Sequence, residues 1–592
     1  REDDALSYVR DAQGIYYDAS APSDIEVFTM DKLTPEQLSR TEAIMADWRT
    51  LRLSKFNSAR DYYGDLPDQY VLVVDQVVGD LSIRYGQANR FSFARMLDAA
   101  LSENPKATVI VKVHPDSLTR GKKGHYNLKA LALIDRIEII AENCHPTRLL
   151  EQAEAVYTVT SQLGFEALIW GTKVHCFGVP FYAGWGLTSD RSPTPKRRRK
   201  ETLEQLVYSA LVRYTKYIDP ERKHPCEIEE IMTHIGLQRV MHERFPREIL
   251  ALGFSRWKRQ ILRSFLKGTH IKFIRYEGQV KEGDAVVLWG NRELKCKNKQ
   301  INILRIEDGF LRSSGLGADL IRPISWVIDG KGIYYDPKKT SGLQHILSTH
   351  NFDASVLARA KRLRERILDA GVSKYNMPGS IWSRPILDRK IVLVPGQVED
   401  DASIRAGCLD VKTNLDLLRS VREAEPTAYI VYKPHPDVQA GLRRSDMDGE
   451  SISPLCDEIV SDTDVAQLLG QVDELHTMTS LTGFEALLRN IPVTCYGHPF
   501  YAGWGLTTDT GIVSGRDRLL QLDELVAGTL VLYPTYISRN TGCFCTPEHA
   551  LEELIVWRNI GIRKPPFRGK AKRFFLRLWR SLVEIRKIYN DR

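Results

Sequence analysis

Cysteine is scarce. Nine residues in a chain of 592 are too few and too scattered for a disulfide framework. The close pair Cys543 and Cys545 lacks the second pair that a zinc site needs, and Cys144 beside His145 is not a ligand set, so no metal is expected. The usage fits a reducing cytoplasm. Long apolar runs are also missing: nothing approaches the roughly 18 uninterrupted apolar residues of a membrane span. No charged start followed by an apolar core marks a signal peptide. The chain opens on Arg1 rather than Met, and more residues are expected ahead of it. Basic charge is missing from most of the body. The net charge is +8, yet residues 563–592 hold 11 Lys or Arg against only Glu584 and Asp591. The remainder is close to neutral. A general nucleic-acid binder spreads basic surface over its folded body, so no nucleic-acid partner is expected.

What is present is a balance of 43% hydrophobic and 27% charged residues, that of a globular chain long enough for two to four domains. The chain also repeats itself. Pro-Phe-Tyr-Ala-Gly-Trp-Gly-Leu-Thr occurs at Pro180–Thr188 and at Pro499–Thr507. Gly-Phe-Glu-Ala-Leu occurs at Gly164–Leu168 and Gly483–Leu487, His-Pro-Asp at His114–Asp116 and His435–Asp437, and Gly-Ile-Tyr-Tyr-Asp at Gly14–Asp18 and Gly332–Asp336. The offsets stay between 318 and 321, so a whole module is duplicated. The second copy has additional apolar runs, Val286–Trp289 and Ile301–Ile306, ahead of its Gly-Ile-Tyr-Tyr-Asp. The first has no room for them and is expected to lack part of its front domain. The expected division is 1–267 for the first module, 268–562 for the second and 563–592 for a basic tail.

Short β-rich runs alternate with helical periods, which predicts α/β modules built from doubly wound parallel sheets. Strands are expected at Tyr70–Val74, Ala107–Val113, Ile391–Pro395 and Ala428–Lys433. Helices are expected at Thr34–Leu53, Phe91–Leu101, Leu163–Trp170, Ala354–Ala370, Asn414–Arg422 and Leu481–Arg489. Ligands of such sheets sit at the carboxyl ends of the strands, which directs attention to the loops after Val74, Val113, Pro395 and Lys433.

The chemistry-bearing residues fall in those loops. Thr160-Ser161 and Thr479-Ser480 stand just before the Gly-Phe-Glu helices, where hydroxyls and free N–H groups suit a phosphate; a plain helix cap would use the same residues. His114 and His435 follow strands ending in Lys112 and Lys433, and an imidazole there can donate to a departing phosphate. Glu166 and Glu485 lie one turn further on, for ribose hydroxyls or as first-turn acids. Gln76 to Asp80 and Gln397 to Asp401 put a carboxylate after a strand, either a nucleophile toward an anomeric carbon or a turn residue. Glu307-Asp308-Gly309 adds an acid pair to the second front domain, a candidate general base. The aromatics of the nine-residue repeat are candidates to stack on sugar or base faces. The basic run Lys196–Lys200, with Arg516 and Arg518 in its place later, is either an anion funnel or a solvated loop.

In these motifs and their order the chain resembles the KpsC family of capsule polysaccharide proteins, dual β-Kdo transferases of Gram-negative bacteria. The resemblance spans nearly the whole chain and implies two tandem GT-B-like glycosyltransferase modules of Rossmann-like sheets. It implies Kdo transfer from CMP-Kdo, with retention, to build a poly-β-Kdo linker on lysophosphatidylglycerol, CMP-Kdo being a substrate and no cofactor being called for. On this resemblance Asp80 and Asp401 are nucleophiles forming an Asp–Kdo adduct, and His114 and His435 lie near the CMP phosphate. Ser161 and Ser480, with Thr160, Thr479, Gly164 and Gly483, belong to the donor site, as do Gln76, Gln397, Lys112 and Lys433. Glu166 and Glu485 are the nucleotide-side acids, and Glu307 or Asp308 deprotonates the acceptor. The two modules are expected to make different linkages, β-2,4 and then β-2,7. Expected partners are the lipid-linked Kdo acceptor, the capsule assembly and export machinery, and the inner face of the inner membrane.

The membrane expectation has a residue-level basis. Phe574, Phe575, Leu578, Leu582, Val583, Ile585 and Tyr589 recur near the helical period between basic residues, so Lys572–Tyr589 reads as an interfacial amphipathic helix. Arg256–Lys267 is a shorter analogue. The competing readings are a transferase for another CMP-activated acidic sugar, or a CMP-sugar-binding assembly scaffold with inactive modules.

Overall fold

The computed structural model describes residues 5–119, 121–295, 300–315, 321–374, 376, 379–436, 452–461 and 463–560. The basic tail and its expected helix lie outside them. The chain divides into two compact units, Arg1–Phe245 and Pro246–Arg592.

The first unit contains a six-stranded parallel sheet. Its order is Ile137–Ile140, Thr108–Lys112, Tyr70–Val74, Ala155–Thr158, Lys173–Cys176 and Ser189–Asp190. The central run Tyr-Val-Leu-Val-Val is buried at all five positions, as expected for a parallel strand covered on both faces. Apolar side chains alternate between two cores: Tyr70, Leu72 and Val74 pack on one side and Val71 and Val73 on the other. The second unit repeats this sheet with Glu458–Ile459, Tyr429–Lys433, Ile391–Pro395, Glu474–Thr477, Val493–Cys495 and Thr508–Asp509. In each, the chain leaves the central strand first to one side and later returns to the other. The strands Tyr70–Val74 and Ala155–Thr158 therefore flank a topological switch point, as do Ile391–Pro395 and Glu474–Thr477.

The second unit has a complete front sheet of seven strands. Four are parallel to their neighbours (His270–Ile274, Glu248–Leu252, Ala285–Trp289, Asn302–Asp308) and three follow antiparallel (Ser325–Asp329, Thr535–Ile537, Phe544–Cys545). Among the described residues the first unit carries the counterpart of the last three alone: Ser7–Val9, Thr215–Ile218 and Pro225–Cys226. Strand Glu248–Leu252 is bonded inside the second unit's sheet, so the division between units falls about twenty residues before the expected 267.

Two expectations change here. The helix Arg256–Phe265 is not a membrane-lying analogue, because Ile261, Leu262 and Phe265 are buried and the Phe265 ring stacks on Trp326 at 4.7 Å. Its apolar stripe is used by the front sheet. The nine-residue repeat does not offer its aromatics to a ligand either. Phe181, Tyr182 and Trp185, and likewise Phe500, Tyr501 and Trp504, are core residues. One arginine of each following basic segment pins the loop from inside: Arg198 donates to the carbonyls of Pro180 and Ala183, and Arg516 to those of Pro499 and Ala502. These two guanidiniums are buried and act as loop staples, not as an anion funnel.

The tyrosines of the loop explain a glycine. Tyr182 and Tyr501 donate to the carbonyls of Ser161 and Ser480, and a Cβ at Gly164 or Gly483 would collide with those hydroxyls. Gly483→Ala is therefore expected to destabilise the second unit by about 1–3 kcal/mol through overpacking, read as a lowered urea midpoint. An unchanged midpoint would show that the helix has room to shift.

Candidate active sites at the sheet switch points

At the switch point of the first unit, Gln76 follows the central strand and Thr160 follows its neighbour. Thr160 N–H donates to Gln76 Oε1 (2.9 Å) and Gln76 Nε2 donates to Thr160 Oγ1 (3.1 Å). The second unit repeats the clamp: Thr479 N–H to Gln397 Oε1 (3.0 Å) and Gln397 Nε2 to Thr479 Oγ1 (3.0 Å). Both glutamines are buried and both ends of each amide are used inside the protein. They position the loops that carry chemistry.

Those loops are short and capped. Asp80 is the N-cap of helix Leu81–Tyr85 and accepts from Ser82 N–H at 2.9 Å. Asp401 caps Ala402–Gly407 and accepts from Ser403 N–H and Oγ, both at 2.9 Å. Both carboxylates are exposed at the carboxyl edge of the sheet. The turn reading and the site reading are thus both realised: the cap fixes the aspartate and leaves its face open. His114 begins the loop after the adjacent strand and is half-buried. Asp116 N–H donates to its Nδ1 at 3.1 Å, so the neutral ring carries its proton on Nε2. Burial lowers its pKa, while Asp116 and Asp80 pull it back up; the Asp80 charge is close enough to act on this imidazole. His435 occupies the same place after Tyr429–Lys433 and is half-buried too.

The other predicted residues have more local uses. Ser480 is the N-cap of Leu481–Leu488, accepting from Thr482 N–H at 3.2 Å, and Ser161 Oγ accepts from Leu163 N–H at 3.3 Å. Ser480 is thus a helix cap, while Ser161 stands one residue before the N-cap Gln162 of its helix. Lys112 is buried and donates to the carbonyls of Val113 (3.2 Å) and Glu142 (3.0 Å), bracing the sheet edge; Lys433 is buried too. Glu166 and Glu485 do not reach into a cleft. Each is buried under a loop and accepts one backbone N–H, from Lys55 (3.0 Å) and Lys374 (2.8 Å). Burial pushes Glu166 up to about 7, against the pull of Ser54 and the Lys55 N–H, and raises Glu485 as well. The loops they hold are themselves a repeat, Ser54-Lys55-Phe56-Asn57 and Ser373-Lys374-Tyr375-Asn376. In both, the Asn Oδ1 accepts from the Ser N–H.

In the second unit the front acid pair is resolved into two different groups. Asp308 accepts from Arg312 Nε at 2.6 Å and from Trp326 Nε1 at 3.2 Å. Glu307 accepts the Asp308 N–H at 3.1 Å. Burial, reinforced by Asp308, pushes Glu307 up to about 7. Between this pair and the back sheet stand Tyr334 and Tyr335 of the Gly-Ile-Tyr-Tyr-Asp repeat. The charges of Glu307 and Asp401 act on both tyrosines. In the first unit Tyr16 of the same repeat is subject to Asp80. These tyrosines and the Ser-Lys-x-Asn loops were not singled out as site residues from sequence; their duplication at the common offset was the available signal.

A family model described as capsule polysaccharide biosynthesis protein matches residues 59–217, 284–379 and 383–536. The chain belongs to this family. It is 40% identical over 579 residues to the capsule polysaccharide modification protein LipA of Neisseria meningitidis, covering 94% of this chain and 82% of the relative. It is 39% identical over 331 residues to the lipopolysaccharide-processing protein LpsZ of Rhizobium meliloti, covering 52% and 75%. Among solved structures it is similar to the β Kdo 2,7 transferase of Thermosulfurimonas dismutans KpsC (41% identity, TM-score 0.45, 52% of this chain and 99% of that one). It is also similar to the β Kdo 2,4 transferase of the same protein (31%, TM-score 0.48, 53% and 100%). In this capsule-family member the repeated Gln76 and Gln397 each clamp the threonine after the neighbouring strand at a switch point.

The buried glutamate supplies a test of this geometry. Because the folded state holds the Glu166 proton to about pH 7 and the unfolded chain releases it near the ordinary carboxylate value, stability falls as pH rises between those points. The loss is roughly 3 kcal/mol for a fully buried group. Glu166→Gln should flatten the change in urea midpoint between pH 5 and pH 8. An identical pH dependence in variant and parent would show that Glu166 is not buried as described.

Proposed function

We propose that each unit is a retaining sugar transferase that moves Kdo from CMP-Kdo onto a growing poly-β-Kdo linker carried by lysophosphatidylglycerol. The observation that carries this reading is the duplicated pairing, at both switch points, of an open capped aspartate with an imidazole on the next strand. A duplicated fold with one redundant copy would not need the same constellation twice. Family membership supplies the setting of capsule synthesis, and the motif resemblance supplies the donor.

The steps follow from the groups. An oxygen of Asp401 attacks the anomeric carbon, the bond to the phosphate oxygen breaks, and CMP leaves with the electron pair while the His435 N–H offers that oxygen a hydrogen bond. An acceptor hydroxyl then gives its proton to Glu307 and attacks the same carbon, releasing Asp401; two inversions give retention. Glu307 suits the base role better than Asp308, because Asp308 is tied to Arg312 as an ion pair. Asp80 and His114 take the first two roles in the first unit.

Intact-protein mass spectrometry after incubation with CMP-Kdo and no acceptor tests the reading. Mass gains of up to two Kdo are expected on the parent, at most one in Asp401→Asn, and none in Asp80→Asn combined with Asp401→Asn. Glu307→Gln should keep the adduct on the second unit and lose transfer by about 10²–10⁴-fold. No adduct on any form, with transfer intact, rules out double displacement.

We assign the membrane contact to the tail, on its charge and periodicity alone. No helix among the described residues is long and apolar enough to cross a membrane. Removing residues 568–592 is expected to abolish cosedimentation with anionic liposomes, and undiminished binding would move the contact elsewhere.

A further inference from the structure

The front domain of the second unit contains a charged group that the proposed mechanism leaves unused. Lys258 lies in the first turn of helix Arg256–Phe265, whose N-cap Ser255 accepts the Lys258 N–H. Its ammonium sits 3.0 Å above the centroid of the Trp289 ring. Trp289 itself is wedged edge-on against Trp326 at 5.4 Å, and Trp326 Nε1 is the donor to Asp308. The ring face is therefore fixed, and so is the place of the ammonium over it. Among the described residues Lys258 Nζ has no hydrogen-bond acceptor and no carboxylate within ion-pair distance, and the cation–π contact satisfies none of its three N–H donors.

The next residue, Gly290, has φ +61° and leaves a bare floor at the end of strand Ala285–Trp289. The position a Cβ would take there is 3.0 Å from Tyr335 Oη and 3.5 Å from Glu307 Oε2. The tyrosine hydroxyl and the carboxylate therefore meet over Gly290, the residue next to the ring that carries the ammonium. Glu307 Oε2 accepts no hydrogen bond there among the described residues. Burial lowers the Lys258 pKa to about 8, with the charges of Glu307 and Asp308 holding it up, so near neutral pH it is largely protonated. A half-buried cation with all its donors unused beside a general base is an arrangement for an anionic ligand.

We propose that Lys258 is the acceptor-anion anchor of the second unit: its ammonium binds an oxyanion of the acceptor and presents the neighbouring hydroxyl to Glu307 over Gly290. The chemistry fits a sugar carboxylate or a lipid phosphate, both of which an acidic lipid-linked acceptor carries. The inference rests on the proposed function for the identity of Glu307 as base, and its test is separable from that reading.

The experiment uses the full chain carrying Asp80→Asn, so that only the second unit turns over, with Lys258→Met as an uncharged side chain of similar length. Three soluble acceptors are compared: one with free carboxylate and phosphate, one with the terminal carboxylate converted to an amide, and one lacking the phosphate. For the first acceptor, KM is expected to rise about ten- to a hundredfold in Lys258→Met, the scale of a lost charge-assisted hydrogen bond. Lys258→Arg should recover part of the loss, and the Kdo adduct formed without acceptor should be unchanged. The modified acceptor to which parent and variant respond alike identifies the anchored group. An unchanged KM for the first acceptor overturns the proposal. So does an equal fall in adduct formation and transfer with a lowered melting temperature, which would make Lys258 a brace for its helix. Absence of adduct in the parent counts against double displacement and leaves the KM comparison standing.

Discussion

The geometry of both sites depends on how a buried arginine and a buried tyrosine hold one loop. The aromatic repeat passes under the sheet edge, and its carbonyls would be buried without partners if Arg198 and Arg516 did not donate to them. With the loop fixed, Tyr182 and Tyr501 reach the carbonyls of Ser161 and Ser480 and set the height of the following helix. That helix start carries the threonine which the switch-point glutamine grips. The glutamine in turn fixes the strand end from which the Asp80 or Asp401 turn departs. A chain of hydrogen-bonded groups thus runs from the core to the exposed carboxylate. An unpaired link in such a chain costs more than a hydrogen bond contributes, which explains why each link appears in both copies.

The duplication also separates what is needed from what is tolerated. Directly before the glutamine the first unit has Asp75 and the second has Gly396. Asp75 is buried, accepts from the N–H groups of Gln76 and His125, and is pushed up to about 6 by that burial against those N–H groups. A Cβ on Gly396 would press on the Tyr432 hydroxyl; the corresponding residue of the first unit is Val111. The glutamine and the capped aspartate are common to both units. The neighbours beneath them differ.

Much of this was legible in the chain. Period and apolar runs located the central strand Ile391–Pro395 and the helix Ala354–Ala370 with their ends correct, since both are bounded by turn residues and neither has a competing pattern. The repeats located the motifs. What could not be read was direction. Charge patterning reads Lys196–Lys200 as an anion funnel or a solvated run, and burial of Arg198 depends on carbonyls 15 and 18 residues away in sequence. Aromatics between glycines read equally well as ligand platform or core. Helix Arg256–Phe265 has a membrane-like amphipathic pattern because packing on a sheet asks for the same stripe; only Trp326 decides between the two. Glu166 falls in the same class, since an acid in a first turn reads as solvated until the loop above it is known.

Arg312 divides the roles of the two front acids. Two adjacent carboxylates in a half-buried recess repel, and the repulsion must be relieved by a cation or a proton. Of the two acids Arg312 pairs with Asp308, at 2.6 Å, and Trp326 Nε1 donates to the other oxygen. The relief for Glu307 is a proton, retained to about pH 7. A base so placed is half-loaded near neutrality, which is where proton capture and release are both cheap. Lys258 is too far to form an ion pair with either acid, but its charge keeps Glu307 from rising further. A single arginine aimed at one residue of the Glu-Asp pair therefore ties one carboxylate into an ion pair and leaves the other for the proposed role of acceptor base.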